Sequence, residues 1–159
     1  MIKVTLITLG KLKEKYLRDA VDEYKKRLSR YCNLDIIEIE PVKLPEKPSE
    51  NEINQALEKE YSEINKRIPK DSSVFSLCIE GKEISSEEFA DKFQNLSNMG
   101  KGLTFIIGSS YGLSPKIKTE SDFKLSVSKM TFPHQLFRVM LLEQIYRAFK
   151  INEGSAYHK

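Results

Sequence analysis

Leu103-Thr104-Phe105-Ile106-Ile107-Gly108-Ser109-Ser110-Tyr111-Gly112 decides the fold class. Its first five residues are apolar apart from Thr104, and a short polar turn bounded by two glycines follows. A run this short and this apolar predicts a strand buried on both faces, because a one-faced strand would alternate apolar with polar side chains. Val74 to Ile79 is a second mainly apolar run, with a turn expected at Gly81. Ile2 to Leu9, ending at Gly10, reads as the first strand, and Leu34 to Glu40, stopped by Pro41, as another. Phe123 to Val127 completes the set.

Between these runs the apolar period changes from two to three and four. Tyr16, Leu17, Ala20, Val21, Tyr24 and Leu28 share one face of a helix over 12–31. Ser49 with Glu52, and Ser85 with Glu88, are capping-box signatures that open two further helices, the first closed by Pro69 and the second by Gly100 and Gly102. Ser114-Pro115 starts one helical turn. Pro133, placed at a first helical position, opens a helix to about Asn152, with Thr131 as a candidate N-cap. Its apolar residues cover more than one stripe, so it needs two neighbours, one of them expected to be another subunit. Val42 to Ser49, with two prolines and two lysines, is an exposed loop that is either a solvated connector or an RNA contact. Buried strands alternating with amphipathic helices predict an α/β protein with a mainly parallel sheet and helices on both faces.

The 159 residues suit a single domain, 1–159, with 40% hydrophobic and 31% charged residues. No apolar run approaches the roughly 20 residues of a membrane span and no signal pattern opens the chain, so a cytoplasmic protein is expected. A net charge of +3 permits a nucleic-acid partner without requiring one. Cys32 and Cys78, both in or beside strands, read as buried reduced thiols. His134 and His158 stand apart from any HExxH or CxxC pattern, so no metal site is expected.

Ligand sites in open parallel sheets form outside the carboxyl ends of the strands. The loops 77–81, 108–112 and 128–132 should gather there. The Gly108 loop is neither GxGxxG nor a P-loop, which disfavours a standard nicotinamide or triphosphate site. Ser126 to Gln135 puts hydroxyls, a cation and a helix start directly after a strand. Glu143 and Arg147, four apart, can pair on one helix face, in the bland account as an exposed pair. Tyr157-His158-Lys159 is either a frayed end or an aromatic, titratable and basic trio suited to stacking on a base, handling a proton and gripping a phosphate.

Gly10-Lys11-Leu12-Lys13, Phe105-Ile106-Ile107-Gly108 with Gly112-Leu113, Leu125 through His134, Arg138-Val139, Glu143 through Ala148 and the terminal Tyr157-His158-Lys159 form an ordered series. Along essentially the whole chain this series resembles the ribosomal RNA large subunit methyltransferase H family of the knotted SPOUT class. The resemblance implies a C-terminal trefoil knot, against the usual rule of unknotted chains. It also implies a homodimer that uses S-adenosyl-L-methionine (SAM) and acts on N3 of a pseudouridine in 23S rRNA, in the helix 69 region.

On that resemblance Leu77, Gly108, Val127, Ser128, Lys129, Met130, Thr131 and Phe132 are the cofactor-binding positions. His158, Arg147, Glu143 and Tyr157 are the catalytic candidates, with His158 first for the N3 proton. Lys129, Arg138 and Lys159 are the RNA-binding candidates. The short tail is expected to reach the partner's pocket. Ser109 stands where the family often has a second glycine. Two other readings remain open: a non-enzymatic ribosome-binding factor with a relic SAM pocket, and a SPOUT enzyme acting on a tRNA base.

Overall fold

A computed structural model describes residues 1–159. Five strands, β1 (Ile2–Leu9), β2 (Cys32–Ile39), β3 (Ser72–Glu83), β4 (Gly102–Ile107) and β5 (Phe123–Ser126), form one sheet in the order β2-β1-β4-β3-β5. Every neighbouring pair is parallel. The helices are α1 (Lys15–Leu28), α2 (Glu50–Asn65), α3 (Ser86–Asn98), α4 (Pro115–Glu120) and α5 (His134–Asn152). The mainly parallel α/β sheet read from the apolar runs is therefore the architecture found.

Side-chain alternation along the central strands divides the core between the two faces of the sheet. Val4 and Leu6 of β1 join Phe105 of β4, Val21 and Leu28 of α1, Phe93 of α3 and Leu142 and Ile145 of α5. Ile7 and Leu9 point the other way, into a smaller cluster with Ile106, Ile64 of α2 and Ile117 of α4. A strand buried on both sides must be apolar at nearly every position, which explains the unbroken Leu103 to Ile107 run. On the larger face Phe105 stacks on Phe93 at 6.1 Å between ring centroids and meets Phe89 edge-on at 5.9 Å. Such pairs add about 0.5–1.5 kcal/mol each beyond the area they bury.

The breadth of the apolar surface on α5 has its explanation within the chain. α5 lies between α1 and α3: Phe149 stacks on Tyr31 just beyond α1 and meets Phe93 of α3 edge-on, while Gln144 accepts from Ser86. Two of its neighbours are thus helices of its own chain. Leu136, in its first turn, is exposed, and Phe137, Val139, Met140 and Tyr146 are half-buried.

Several local expectations shift. Tyr16 is exposed, because α1 begins one residue before it and turns it away from the sheet. β2 begins at Cys32 instead of Leu34. Cys78 is half-buried, although Cys32 is buried as expected. Pro133 is the N-cap of α5, one place before the first helical position, and Thr131 does not cap it. The box at Ser49 closes in both directions, whereas Ser85 makes only the forward bond to the Glu88 N–H. Gly81 does not end β3. The strand runs on to Glu83, and its register against β5 jumps between Leu77 and Lys82, so the intervening residues bulge outward. A Cβ on Gly81 would sit 2.7 Å from the Leu125 carbonyl carbon, so close backbone approach, not a turn, requires glycine there.

Glu60 of α2 is buried and accepts from the Val42 N–H at 3.0 Å, tying the segment after β2 to the helix. Burial holds its carboxyl above the usual glutamate range, against the pull of hydrogen bonds from Val42 and Ser109. A raised value means that the folded chain holds this proton more tightly than the unfolded chain does. The stabilisation is full below the ordinary glutamate range and is lost as pH rises through the folded value. Glu60→Gln keeps an acceptor for Val42 without the charge. Its melting temperature should therefore equal or exceed the parent's at pH 7, with the margin shrinking as pH falls towards 4. A clear loss at pH 7 would show that the carboxylate is needed as a charge.

Candidate active site

The three loops expected at the carboxyl end of the sheet do converge. The bulge of β3, the turn after β4 and the segment after β5 line one cavity of about 720 Å³, within the range of about 300–1,000 Å³ usual for small-molecule sites. Its walls include Leu77, Gly108, Val127, Ser128, Met130, Thr131 and Phe132. Lys129 is not part of the wall: it is exposed on the same segment. Glu80, the one carboxylate in the wall, is paired with Lys118, which holds it below the usual range by a hydrogen bond.

Both mobile-looking turns are stitched in place. The Gly112 N–H donates to the Ser109 carbonyl at 2.8 Å, and Gly112 carries a φ of 83°, the left-handed region that favours glycine. Gly108 packs so closely that a Cβ there would lie 2.4 Å from the Gly112 carbonyl oxygen. In the segment after β5, the Ser126 hydroxyl donates to the Ser128 carbonyl, and the Ser128 hydroxyl accepts from the Met130 N–H. Two of the three segments that line the pocket are thus fixed by hydrogen bonds of their own. His134, Phe137, Leu113 and Lys118 also line it. Their only sequence signal was nearness to these loops. Burial first, then the charges of Arg138 and Lys13, lowers the pKa of His134, so its imidazole is neutral at physiological pH.

A second cluster gathers the four catalytic candidates. Glu143 is its centre: Arg147 donates to one oxygen through Nε at 2.8 Å, while Tyr157 and Tyr24 donate to the other at 2.9 and 2.7 Å. Burial, reinforced by Glu143, pushes the Tyr24 phenol up to about 12, so it stays a donor. The Arg147 guanidinium also stacks on the Tyr157 ring at 4.7 Å. Arginine has no acceptor, so the 3.1 Å contact from Arg147 makes His158 Nδ1 the acceptor. Nε2 then carries the proton and donates to Glu87 of α3 at 2.7 Å.

The tail is therefore docked on α5 and α3, not frayed, and the Glu143–Arg147 pair is half-buried instead of exposed. Lys159 is exposed at the end. Arg138, expected to face RNA, is only 3% exposed. It pairs with Glu38 at 2.8 Å and donates to the Gly10 carbonyl at 3.1 Å. A buried guanidinium spent on the Glu38 carboxylate and a carbonyl is closed to a phosphate, so here Arg138 holds the ends of β1 and β2.

The two clusters do not meet within one chain. None of Glu143, Arg147, Tyr157 and His158 lines the cavity. Along α5, Glu143 and Arg147 lie about 14 and 20 Å past His134 at the helical rise of 1.5 Å per residue.

Residues 2–158 match a family model described as "Predicted SPOUT methyltransferase". The chain belongs to this family. Within it the chain falls among the ribosomal RNA large subunit methyltransferase H proteins. It is 54% identical to the Bifidobacterium adolescentis protein of that name over 159 residues, which cover 99% of this chain and 100% of that one. Identity is 53% to the Clostridium acetobutylicum protein, with the same coverage, and 58% to a Methanococcus maripaludis relative provisionally given the same name. A solved structure described as a probable methylase family protein from Haemophilus influenzae has a TM-score of 0.54 at 12% identity. It covers 96% of this chain and 67% of that one, and its likeness concerns the fold. The sheet order and the meeting of the 108–112 and 127–133 segments fit the SPOUT fold, whose C-terminal knot the family implies. The SPOUT chain has no group of three or more His, Cys, Asp or Glu placed to hold a metal ion, and no helix long and apolar enough to cross a membrane.

Proposed function

We propose that this SPOUT methyltransferase methylates N3 of a pseudouridine in 23S rRNA of the large ribosomal subunit, in the helix 69 region, with SAM as donor. The observation that carries the reading is the cavity at the carboxyl ends of β3, β4 and β5, lined by the three segments that leave those strands. The residues present fit SAM. Half of the wall is hydrophobic, its single acid is neutralised by Lys118, and its volume suits a nucleoside-sized ligand. Leu77, Gly108, Val127, Ser128, Met130, Thr131 and Phe132 would hold it, with Lys129 at the rim.

SAM supplies, when bound, a methyl group already electrophilic on a sulfonium. The chain must then align the target in line and manage the N3 proton, because an imide nitrogen attacks well only as that proton leaves. His158 is the proton acceptor in this reading. Nδ1 is the nitrogen without a proton, so it must first exchange its contact with Arg147 for the base, while Nε2 keeps its bond to Glu87. Arg147 stabilises the developing imide anion, Glu143 fixes Arg147, and Tyr157 offers a face for stacking. Lys129 and Lys159, both exposed, take phosphates.

A second copy of the chain completes the site. The lining of the cavity includes four exposed apolar residues, Ile79 (58%), Tyr111 (46%), Met130 (76%) and Phe132 (36%). Such a contiguous patch marks an interaction surface. An antiparallel partner docked on it would bring its Glu143–Arg147–Tyr157–His158 block to the donor. Tail and α5 are bonded together, so they travel as one body of their own subunit.

The test is mass mapping of 23S rRNA from cells lacking this protein. Loss of a single methyl mark on a pseudouridine is the expected result. An unchanged 23S map, with a mark lost from a tRNA instead, would transfer the activity to another RNA. Calorimetry that finds a folded dimer without affinity for SAM would make the protein a binding factor.

A further inference from the structure

A second cavity, of about 410 Å³, lies on the other side of the Ser109–Tyr111 turn and shares that turn and His134 with the donor cavity. Its remaining walls come from the 10–13 turn after β1, the 41–45 segment after β2, and α2. The fold accounts for its position. β1 leads through α1 to β2 on one side, while the adjacent β4 leads through α4 to β5 on the other. The crevice between the carboxyl ends of β1 and β4 is therefore the topological switch point of the sheet, where parallel α/β folds place ligands. The donor cavity uses the ends of β3, β4 and β5 and leaves this crevice unassigned.

Its chemistry is specific. The backbone of the 10–13 turn is held by the Gly10 N–H on Ile39, by Arg138 on the Gly10 carbonyl, by Arg18 on the Lys13 carbonyl and by the Lys13 N–H on Gln135. The side chains of Lys11 and Lys13 nevertheless stay exposed and enter no ion pair. Two free cations on a rigid turn are preorganised for an anion. Behind them Pro41, Pro45 and Leu57 give apolar walls, and the buried Glu60 gives one carboxyl for hydrogen bonding.

We propose that this cavity receives a second nucleotide of the substrate RNA, its base between the 41–45 segment and α2 and its phosphate on Lys11 and Lys13. RNA is read most often through unstacked bases splayed into such slots. A nucleotide seated here lies one turn away from the methyl donor, so it sets the register of the target. The assignment rests on RNA being the substrate. It also gives the loop after β2 the RNA-contacting role that its composition left open.

The test is an NMR titration of the full chain, saturated with S-adenosylhomocysteine to fill the donor cavity, with uridine 5′-monophosphate. Amide shifts should centre on Gly10, Lys11, Val42, Glu60 and Ser109. Uridine should bind about tenfold more weakly, as should the nucleotide to the Lys11→Ala/Lys13→Ala variant. That variant should retain its affinity for S-adenosylhomocysteine. Its binding to an rRNA fragment should lose about 0.7 from the log–log salt slope, the value for one single-strand phosphate contact. An unchanged salt slope, or shifts absent from this cavity, overturns the proposal. So does inorganic phosphate producing the same shifts, which would mark an adventitious ion only. The two readings fail separately: nucleotide binding here with no methyl transfer to rRNA would sink the function and leave the cavity standing, and normal transfer without these shifts would do the reverse.

Discussion

Gly108→Ala is expected to abolish donor binding, with a loss of SAM affinity of at least about 100-fold, or about 2.8 kcal/mol. The new methyl would lie 2.4 Å from the Gly112 carbonyl oxygen, 2.6 Å from its carbon and 3.0 Å from Leu113 Cγ. Two of those atoms are main chain, so no rotamer change relieves the clash and the turn itself must open. That turn is the wall between β4 and the donor cavity, closed by the Gly112 to Ser109 hydrogen bond. Overpacking of this kind also costs about 1–3 kcal/mol of stability. Calorimetry on the folded variant, with circular dichroism to show that the sheet survives, is the measurement. Ser110→Ala, in the same turn, is the comparison. Affinity within about twofold of the parent for Gly108→Ala would mean that the turn does not shape the pocket.

Removing Tyr157 to Lys159 is expected to lower methyl transfer by about 10²–10⁴-fold, the usual contribution of a positioned acid or base. SAM affinity should stay within about twofold, because none of these residues lines the donor cavity. A mixing experiment separates a tail that serves its own pocket from one that serves its partner's. The truncated chain has an intact pocket, and the Gly108→Ala chain has an intact tail. A mixed dimer contains one complete site only if tail and pocket come from different subunits. Activity recovered on mixing two inactive proteins supports the composite site. No recovery, in mixtures shown to exchange subunits, would assign the tail to its own chain or to structure alone.

The donor pocket was largely legible before any coordinates, for a physical reason. The carboxyl ends of parallel strands lie on one side of a sheet whatever the connections do, so three loop segments that follow three apolar runs must meet. Seven of the eight positions that the resemblance assigned to the cofactor line the cavity, while Lys129 is exposed and does not line it. The Glu143–Arg147 pair was legible as well, since four residues on a helix fix a neighbour. Arg138 shows the limit. Four residues past the helix start it looked like any exposed cation near a basic surface, and only the register of Thr8 with Glu38 places a carboxylate where a buried guanidinium can meet it. The docking of His158 on Glu87 was equally out of reach, because it joins residues 71 positions apart.

Periodicity, apolar run length and capping residues determined by themselves the parallel α/β class, the five strands, and most of the face that α1 buries. These are local properties, fixed by which side chains one short segment presents and how water treats them. Tertiary structure alone decided that Gly81 is a point of backbone contact, that α5 finds two neighbours in its own chain, that Arg138 is an internal clamp, and that a second cavity opens at the switch point. Each of these depends on atoms brought together across the sheet from distant parts of the chain, and no window of sequence contains both sides of such a contact.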